Sequence, residues 1–332
     1  MTEFIKSMRY LINNSTDPYF NLAFDEYCLE NIHSEEPYFF LWRNRPAVII
    51  GLNQNAYGEV NLEYLNANGI TLARRVTGGG AVYHDLQNMN YTIIGRNPSP
   101  QPMVDALRQL GVPAELTGRN DIFVEGRKVS GYARRVAGNQ EIIHGTLMYD
   151  VDLDTLQHVL DTPASKMKVK GISSVRSHVA NLKEYLPQFK SLDELQAKLS
   201  EILSGGDGPL LAQGSGYPSQ DEINDEVSRI AAKKFATWEF IYGHSHEADF
   251  NYKKKLPCGT VEASLRIDRG IITALTFSGD FLFDEPSEDL AKKLIGLRYD
   301  KATLSAAIEK AGAGKYFRSA NASQICSLLL GE

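Results

Sequence analysis

The sequence predicts an α+β protein of two domains, and three observations support this fold class. The chain has 332 residues, more than the roughly 100–200 residues of a typical single domain. Short β-like runs such as residues 47–50 and 91–94 mix with amphipathic helical stretches in the first half, which indicates a mixed, largely antiparallel sheet. A charged stretch at residues 250–257 ends in proline and resembles a linker. We therefore expect a large domain at residues 1–248 and a small α+β domain at residues 249–332.

The individual elements follow from local patterns along the chain. Ser191 and Glu194 form a capping-box pattern, so a helix is expected from there to about residue 203. Residues 268–270 place a glycine between two alternating runs and predict a hairpin of strands 261–267 and 271–277. Other helices are predicted where apolar residues recur with helical spacing. These span residues 21–30, 103–110, 220–235, 287–297, 302–311 and 322–330.

Composition narrows the classes of function. The 35 basic and 41 acidic residues give a net charge of −6, which argues against a nucleic-acid-binding protein. No apolar run approaches the ~18–20 residues of a membrane span, and the first residues lack a secretory pattern, so we expect a cytoplasmic protein. The three cysteines, Cys28, Cys258 and Cys326, contain no Cys-x-x-Cys pair. This pattern predicts buried thiols in a reducing compartment.

A glycine-rich segment at residues 74–85, Arg-Arg-Val-Thr-Gly-Gly-Gly-Ala-Val-Tyr-His-Asp, carries the clearest functional signal. Three consecutive glycines allow backbone N–H groups to approach an anion or a flat ring, and arginine offers forked donors to phosphate. No Gly-Lys-Ser/Thr follows, and Tyr83 occupies the position of the last glycine in a dinucleotide-binding turn. The segment therefore predicts a ligand-binding loop between two strands, the alternative being a tight turn beside ordinary surface arginines.

A second segment, residues 118–133, predicts a hairpin that carries a lysine. If Glu125 and Gly126 form the turn, Phe123 pairs with Lys128 and Asp121 pairs with Ser130, which places these four side chains on one face. In acyl adenylation, Asp121 can hold Mg²⁺ on the phosphates while Lys128 neutralises the charge shared by a carboxylate and an α-phosphate. The alternative is an exposed cross-strand ion pair of Asp121 and Lys128.

Together these motifs resemble the lipoate-protein ligase A family. The matching motifs are residues 74–85, 118–122, 127–133, 144–147, 171–178 and 238–240. The resemblance implies a biotin/lipoate ligase-like catalytic domain followed by an accessory domain. It also implies the activity: lipoate and ATP give lipoyl-AMP and pyrophosphate, and a lysine of an apo lipoyl domain then takes the lipoyl group. The implied acceptors are 2-oxoacid dehydrogenase E2 subunits and glycine cleavage H protein, and the implied enzyme is a monomer.

The resemblance also assigns roles to single residues. Lys128 bridges the lipoate carboxyl group and the phosphate as the catalytic residue, and Asp121 falls at the Mg²⁺ contact. The implied nucleotide contacts are Arg75, Gly80, Ala81, Val82, Tyr83, Asn120 and Lys128. The implied lipoate contacts are Gly78, Gly79, His84, Asn88, Lys128, Ala133 and His144.

Three other functions remain open from the sequence. An ATP-independent octanoyl or lipoyl amidotransferase of the same fold needs a cysteine nucleophile beside a lysine, and no cysteine follows the His144 segment. A biotin ligase would carry a Gly-Arg-Gly-Arg-x-Gly-Arg loop, which is absent. A non-catalytic protein that binds lipoyl domains is the third alternative, and loss of activity in Lys128→Ala with nucleotide binding retained would count against it.

Overall fold

A computed structural model describes residues 7–117, 120–160, 178–211, 216–245 and 248–332. Residues 118–119 and 171–177 of the sequence motifs lie outside these ranges. The chain divides into two compact units. The first comprises residues 1–52 and 60–237, and the second comprises residues 53–59 and 238–332. The sequence-predicted boundary at residues 248/249 stays a prediction about the extent of the two domains.

Thirteen strands lie in the described ranges. They are β1 Arg9–Tyr10, β2 Tyr38–Arg43, β3 Ala47–Ile50, β4 Thr71–Arg74, β5 Val82–His84, β6 Asn88–Gly95, β7 Ala114–Thr117, β8 Asp121–Val124, β9 Arg127–Ala137, β10 Gln140–Met148, β11 Ala248–Leu256, β12 Gly259–Asp268 and β13 Ile271–Gly279. The α-helices there are Pro18–Asn31, Ala56–Glu59, Leu62–Ala67, Gln101–Gln109, Leu153–Leu160, Leu192–Ser204, Gln220–Ile230, Trp238–Ile241, Ser287–Leu294, Lys301–Ala311, Ala313–Tyr316 and Ala322–Leu330. A 3₁₀ turn spans Leu182–Glu184, and a π-helical turn spans Ala231–Phe235.

The first unit contains a seven-stranded sheet in the order β1-β2-β6-β10-β9-β8-β7 and a three-stranded sheet in the order β4-β3-β5. β1 pairs with β2 and β3 pairs with β4 in parallel, whereas the other pairs in these two sheets are antiparallel. The expected mixed, largely antiparallel sheet is therefore confirmed.

The main core lies between the large sheet and two amphipathic helices, Gln101–Gln109 and Leu192–Ser204. Ser191 caps the second helix, as its sequence predicts, by accepting a hydrogen bond from the backbone N–H of Glu194. The core residues that the two helices contribute are Met103, Val104, Ala106, Leu107, Leu192, Leu195, Leu199 and Leu203. Burial of these side chains supplies most of the driving force that holds the helices on the sheet.

The helix Pro18–Asn31 contacts β6 and β10 and is buried on nearly all sides. It begins at Asp17, whose carboxylate accepts from the backbone N–H groups of Tyr19 and Phe20, and Pro18 occupies the first turn, where its missing N–H is not needed. The helix thereby brings two charged residues into the interior, Asp25 and Glu26, whose side chains are 1% and 8% exposed.

The second unit contains the antiparallel sheet β11-β12-β13 and four helices between residues 287 and 330. The predicted hairpin is confirmed, with Arg269 and Gly270 both at positive φ in the turn. The predicted linker is wrong: residues 248–256 form β11, which pairs with β12 along its whole length. Alternate exposure of the lysines in this strand explains the error, because a half-exposed strand with charged outward residues resembles a polar linker. No helix in the described ranges is long and apolar enough to cross a membrane.

Candidate active site

The hairpin β8–β9 places a lysine and a carboxylate side by side. Glu125 and Gly126 both adopt positive φ (49° and 77°), the geometry of a two-residue type I′ turn. As predicted, Phe123 pairs with Lys128. The Nζ atom of Lys128 lies 2.7 Å from Oδ1 of Asp121, and the two side chains are 37% and 25% exposed. The side chains of Lys128 and Asp121 therefore lie together, as predicted.

The predicted position of Ser130 is wrong. A β-bulge between Ile122 and Phe123 shifts the register, so Asp121 pairs with Gly131 and Ile122 pairs with Ser130. An extra residue in one strand reverses the face of every residue beyond it. Ser130 therefore lies with the buried Ile122 rather than beside Lys128.

Two features hold Lys128 in place. Its backbone N–H donates to the carbonyl of His178 (2.9 Å), and its carbonyl accepts from the N–H of Ala180 (3.0 Å). Gly131 leaves the space that the side chain needs, because a Cβ there would lie 2.8 Å from Nζ of Lys128. The main chain is anchored on both sides, and the ammonium group lies over a glycine.

The glycine-rich segment is a loop between β4 and β5, as predicted, and two buried arginines support it from within. Nη1 of Arg74 donates to the carbonyls of Gly51 and Leu52 (3.0 and 2.9 Å). Nη2 of Arg75 donates to the carbonyls of Gly78 and Gly80 (2.7 and 2.8 Å). Burial lowers the pKa of Arg75 to about 10, so the guanidinium remains charged at neutral pH. Arg75 therefore sets the conformation of the loop, and Arg74 holds the adjoining residues 51–52 after β3.

The loop passes very close to the end of β3. A Cβ on Gly51 would lie 2.1 Å from the carbonyl oxygen of Gly79, so only glycine fits at position 51. Gly79 itself has φ of +99°, which strongly favours glycine. The loop conformation thus depends on glycine on both sides of this contact.

A chain of buried hydrogen bonds connects the loop to the helix Pro18–Asn31. Nε of Arg75 donates to Oγ1 of Thr77 (3.1 Å), and that hydroxyl lies 2.7 Å from Nε2 of His144. Nδ1 of His144 lies 2.6 Å from Oδ2 of Asp25. Because a carboxylate only accepts, Nδ1 of His144 carries the proton and Nε2 accepts from the Thr77 hydroxyl. Oδ1 of Asp25 accepts from Thr92 (2.8 Å), which completes the chain.

A cavity of about 140 Å³ opens between the glycine loop, β9 and β10. The lining residues are Leu22, Trp42, Ile49, Arg75, Gly79, Gly80, Ala81, Val82, His84, Asn90, Asn120, Lys128, Gly131, Tyr132, Ala133, His144, Gly145 and Thr146. The lining therefore combines the charged groups of Arg75 and Lys128 with apolar side chains such as Leu22, Trp42 and Ile49.

The structure brings most of the sequence-predicted site residues to this cavity. Those in its lining are Arg75, Gly79, Gly80, Ala81, Val82, His84, Asn120, Lys128, Ala133 and His144. Four others are not among the lining residues: Gly78 lies in the loop, Tyr83 and Asn88 are buried in strands, and Asp121 pairs with Lys128. The ligand contacts of all these residues stay predictions.

Sequence reasoning missed several residues of the site, including Asp25, Trp42, Asn90 and Gly131. Asp25 left one signal, since it and Glu26 place two carboxylates in the middle of a mostly apolar helical run. Trp42 and Asn90 come from strands distant in sequence, and only the sheet order places them at the site, whereas Gly131 lies within the hairpin segment itself.

The domain organisation decides the family. Residues 17–204 match the model of the lipoyl protein ligase A/B catalytic domain, and residues 245–329 match that of the bacterial lipoate protein ligase C-terminus. The chain belongs to the lipoate–protein ligase family. The predicted family and fold class are thereby confirmed.

Two curated relatives align with the chain over nearly their whole length. The chain is 36% identical to lipoate–protein ligase 1 of Staphylococcus aureus, over 97% of this chain and 100% of that protein. It is 34% identical to lipoate-protein ligase LplJ of Bacillus subtilis, over 92% of this chain and 94% of that protein.

Solved structures show the same fold. A bipartite lipoate protein ligase from Thermoplasma acidophilum, studied with its E2 lipoyl domain, matches with a TM-score of 0.61 and 30% identity over 72% of this chain and 97% of that one. LipL1 of P. falciparum in complex with lipoate matches with a TM-score of 0.59 and 26% identity over 98% and 100%. A lipoate-protein ligase A bound with ATP matches with a TM-score of 0.58 and 28% identity over 72% and 100%.

Proposed function

We propose that this chain is an ATP-dependent lipoate–protein ligase. In the first step, a carboxylate oxygen of lipoate attacks the α-phosphorus of ATP, which forms lipoyl-AMP and releases pyrophosphate. In the second step, the ε-amine of a lysine on an apo lipoyl domain attacks the acyl carbon, which forms an amide and releases AMP. The observation that carries this proposal is the position of Lys128, whose ammonium group lines the cavity in a chain of this family.

Lys128 provides the positive charge that the first step requires. The reacting carboxylate and the α-phosphate are both anions, and their approach costs free energy unless a cation lies between them. The ion pair with Asp121 orients Nζ before the ligands arrive. The anchored main chain of Lys128 reduces the reorganisation that the transition state requires.

The glycine loop binds the nucleotide in this proposal, through Arg75, Gly80, Ala81, Val82 and Tyr83, with Asn120 contributing from the hairpin. Arg75 acts mainly by shaping the loop, since Nη2 already donates to the carbonyls of Gly78 and Gly80. The phosphates are then bound by backbone N–H groups and by Lys128.

The acyl chain of lipoate occupies the part of the cavity that extends from the glycine loop toward β10. Its proposed contacts are Gly78, Gly79, His84, Asn88, Ala133 and His144. Gly79, His84, Ala133 and His144 line the cavity, and Leu22, Trp42 and Ile49 add apolar surface. An aliphatic chain gains free energy from this surface by leaving water.

Asp121 is the proposed Mg²⁺ ligand, and Mg²⁺ would neutralise charge on the phosphates of ATP when bound. No group of three or more acidic, histidine or cysteine side chains that could hold a metal occurs in the described part of the chain. A single carboxylate nevertheless fits Mg²⁺, which usually binds through one or two carboxylates, nucleotide phosphates and water.

The cysteines do not support the transferase that forms an enzyme thioester. Cys28 is fully buried, and burial raises the pKa of its thiol well above the usual range. Cys258 and Cys326 belong to the second unit, and none of the three is among the residues that line the cavity.

The proposed protein substrates are apo lipoyl domains of 2-oxoacid dehydrogenase E2 subunits and glycine cleavage H protein. We further propose a cytoplasmic monomer without nucleic-acid or membrane partners. The net charge of −6 supports the absence of a nucleic-acid partner.

ATP–pyrophosphate exchange tests the proposal without an acceptor protein. Lipoate, octanoate and biotin are supplied separately, and lipoate is expected to drive exchange. Lys128→Ala should lower this exchange by at least ~10²-fold while retaining the fold. Lys183→Ala is the matched control, because Lys183 is an exposed lysine that pairs with Asp150 at 2.6 Å. Normal exchange by Lys128→Ala would remove Lys128 from the mechanism, and no exchange with any acid would reject the ligase.

A further inference from the structure

The orientation of the His84 ring is determined by a relay of buried amides. Nδ2 of Asn21 lies 3.1 and 2.9 Å from the backbone carbonyls of Ser15 and Arg43, which identifies it as the NH₂ group, whose two hydrogens are shared among these carbonyls and Oδ1 of Asn44. The same nitrogen lies 2.7 Å from Oδ1 of Asn44, so the NH₂ group of Asn44 faces His84. Nδ2 of Asn44 lies 3.0 Å from Nδ1 of His84. Nδ1 of His84 therefore accepts, and Nε2 carries the ring proton.

His84 is also neutral. Its side chain is buried, and burial, together with the positive charge of Arg75 and the nearby His144, lowers its pKa to about 3. At physiological pH the ring is therefore a neutral imidazole with one fixed donor, the Nε2–H group. This atom is buried and has no hydrogen-bond partner among the described residues, and His84 lines the cavity.

Asn90 presents a second donor of the same kind. Its Oδ1 accepts from Nδ2 of Asn88 (3.1 Å), which leaves its own Nδ2 buried without a partner in the described part of the chain. Asn90 is 2% exposed and lines the cavity. The lining near these donors includes Trp42, whose ring lies edge-on to His84 at 6.2 Å.

A buried donor without a partner is costly, so its partner must come from whatever fills the cavity. A plain alkyl chain offers no acceptor and would leave both donors unpaired. A dithiolane ring offers two sulfur atoms, which are weak acceptors of about the right size for an apolar slot. The alkyl acid and the dithiolane acid have the same carboxyl end, so the two acids differ only at the end remote from the reacting carboxylate.

We propose that His84 and Asn90 select a sulfur-containing acyl chain over a plain alkyl chain by donating hydrogen bonds to its ring sulfurs. This inference rests on the proposed function, because it names the specificity determinants of the same site. The selection acts mainly as a penalty on the wrong acid, since that acid fills the cavity and leaves two buried donors without a hydrogen-bond partner.

The test compares lipoate with its cyclopentyl analogue, in which methylene groups replace the two ring sulfurs and the shape is retained. With wild-type protein, kcat/KM in ATP–pyrophosphate exchange should favour lipoate by at least about five-fold. His84→Phe removes the donor, and the ratio should fall toward one. The ratio is insensitive to a general loss of folded protein, because both acids use the same preparation.

Nitrogen NMR of labelled histidine provides a second readout that does not depend on a variant. Nε2 of His84 should be protonated in the free protein, and its resonance should shift with lipoate but not with the cyclopentyl analogue. Equal use of the two acids by wild-type protein, or a protonated Nδ1, would overturn the inference while the ligase remains supported. Absence of exchange with every acid would reject the proposed function and the inference together.

Discussion

Gly131→Ala is the substitution that most directly tests whether the position of Lys128 matters. The added methyl group would lie 2.8 Å from Nζ of Lys128 and 3.4 Å from Oδ1 of Asp121. Ordinary contact begins at 3.4 Å, so Nζ must move by about 0.6 Å or more. Misplacement of a catalytic group by ~1 Å can cost about 10²-fold in rate. We therefore expect adenylation to fall about 10- to 100-fold.

The fold should tolerate this change. The methyl group meets the mobile end of a side chain, and the ion pair it disturbs is 37% and 25% exposed, so the loss of stability should stay within about 1 kcal/mol. ATP–pyrophosphate exchange with lipoate measures the rate of adenylation, and thermal unfolding measures the stability of the fold. A large loss of rate with little change in Tm is the expected combination.

Gly145→Ala on the neighbouring strand β10 is the contrasting variant. There the methyl group would lie 2.6 Å from the ring of Tyr91, which is fully buried, so the protein should lose about 1–3 kcal/mol of stability. Wild-type exchange by a well-folded Gly131→Ala protein would refute the reasoning, because it would mean that displacement of Nζ does not affect the reaction.

Two further predictions concern the loop and the interior. Gly51→Ala should reduce both stability and exchange, since its Cβ would lie 2.1 Å from the carbonyl oxygen of Gly79. Gly208→Ala is the control, because its Cβ would meet no atom within 4 Å and should change neither quantity. Equal thermal unfolding of the two variants would contradict this prediction. The pKa of His84 is lowered from 6.5 to about 3 in the folded protein, so between these values the unfolded chain binds a proton that the folded protein does not. The free energy of unfolding therefore decreases as the pH is lowered from about 6.5 toward about 3. Between pH 7 and 5 this group should cost about 2 kcal/mol. Denaturant titrations should show a shallower pH slope in His84→Phe but not in the exposed control His244→Gln.

The sequence predicted what depends on short-range patterns. The hairpin turns at residues 125–126 and 269–270 follow from a glycine between two alternating runs, because few backbone conformations connect strands over two residues. The helix that begins after Ser191 follows from its cap. The loop at residues 74–85 and the ion pair of Asp121 and Lys128 were also recognisable, since each motif is contiguous or spans a single turn.

Local patterns were less informative about register and exposure. One extra residue in the hairpin moved Ser130 to the buried face, and nothing in the composition of residues 121–130 marks the bulge. The strand Ala248–Leu256 resembled a linker because its outward positions are charged. In both cases the register and the exposure of the side chains depend on the pairing with the neighbouring strand.

The sequence by itself determined the family and its two matched parts, and it singled out Lys128 as the candidate catalytic residue, because these reside in motifs read along the chain. Only the tertiary structure decided which groups complete the site. Asp25, Thr77 and His144 are joined by hydrogen bonds across more than fifty residues of chain at each link, and Arg75 is committed to shaping the loop. The tautomer of His84 likewise depends on an amide relay through Asn21 and Asn44. Burial makes each such donor or acceptor require a partner, and folding alone determines which partner is within reach.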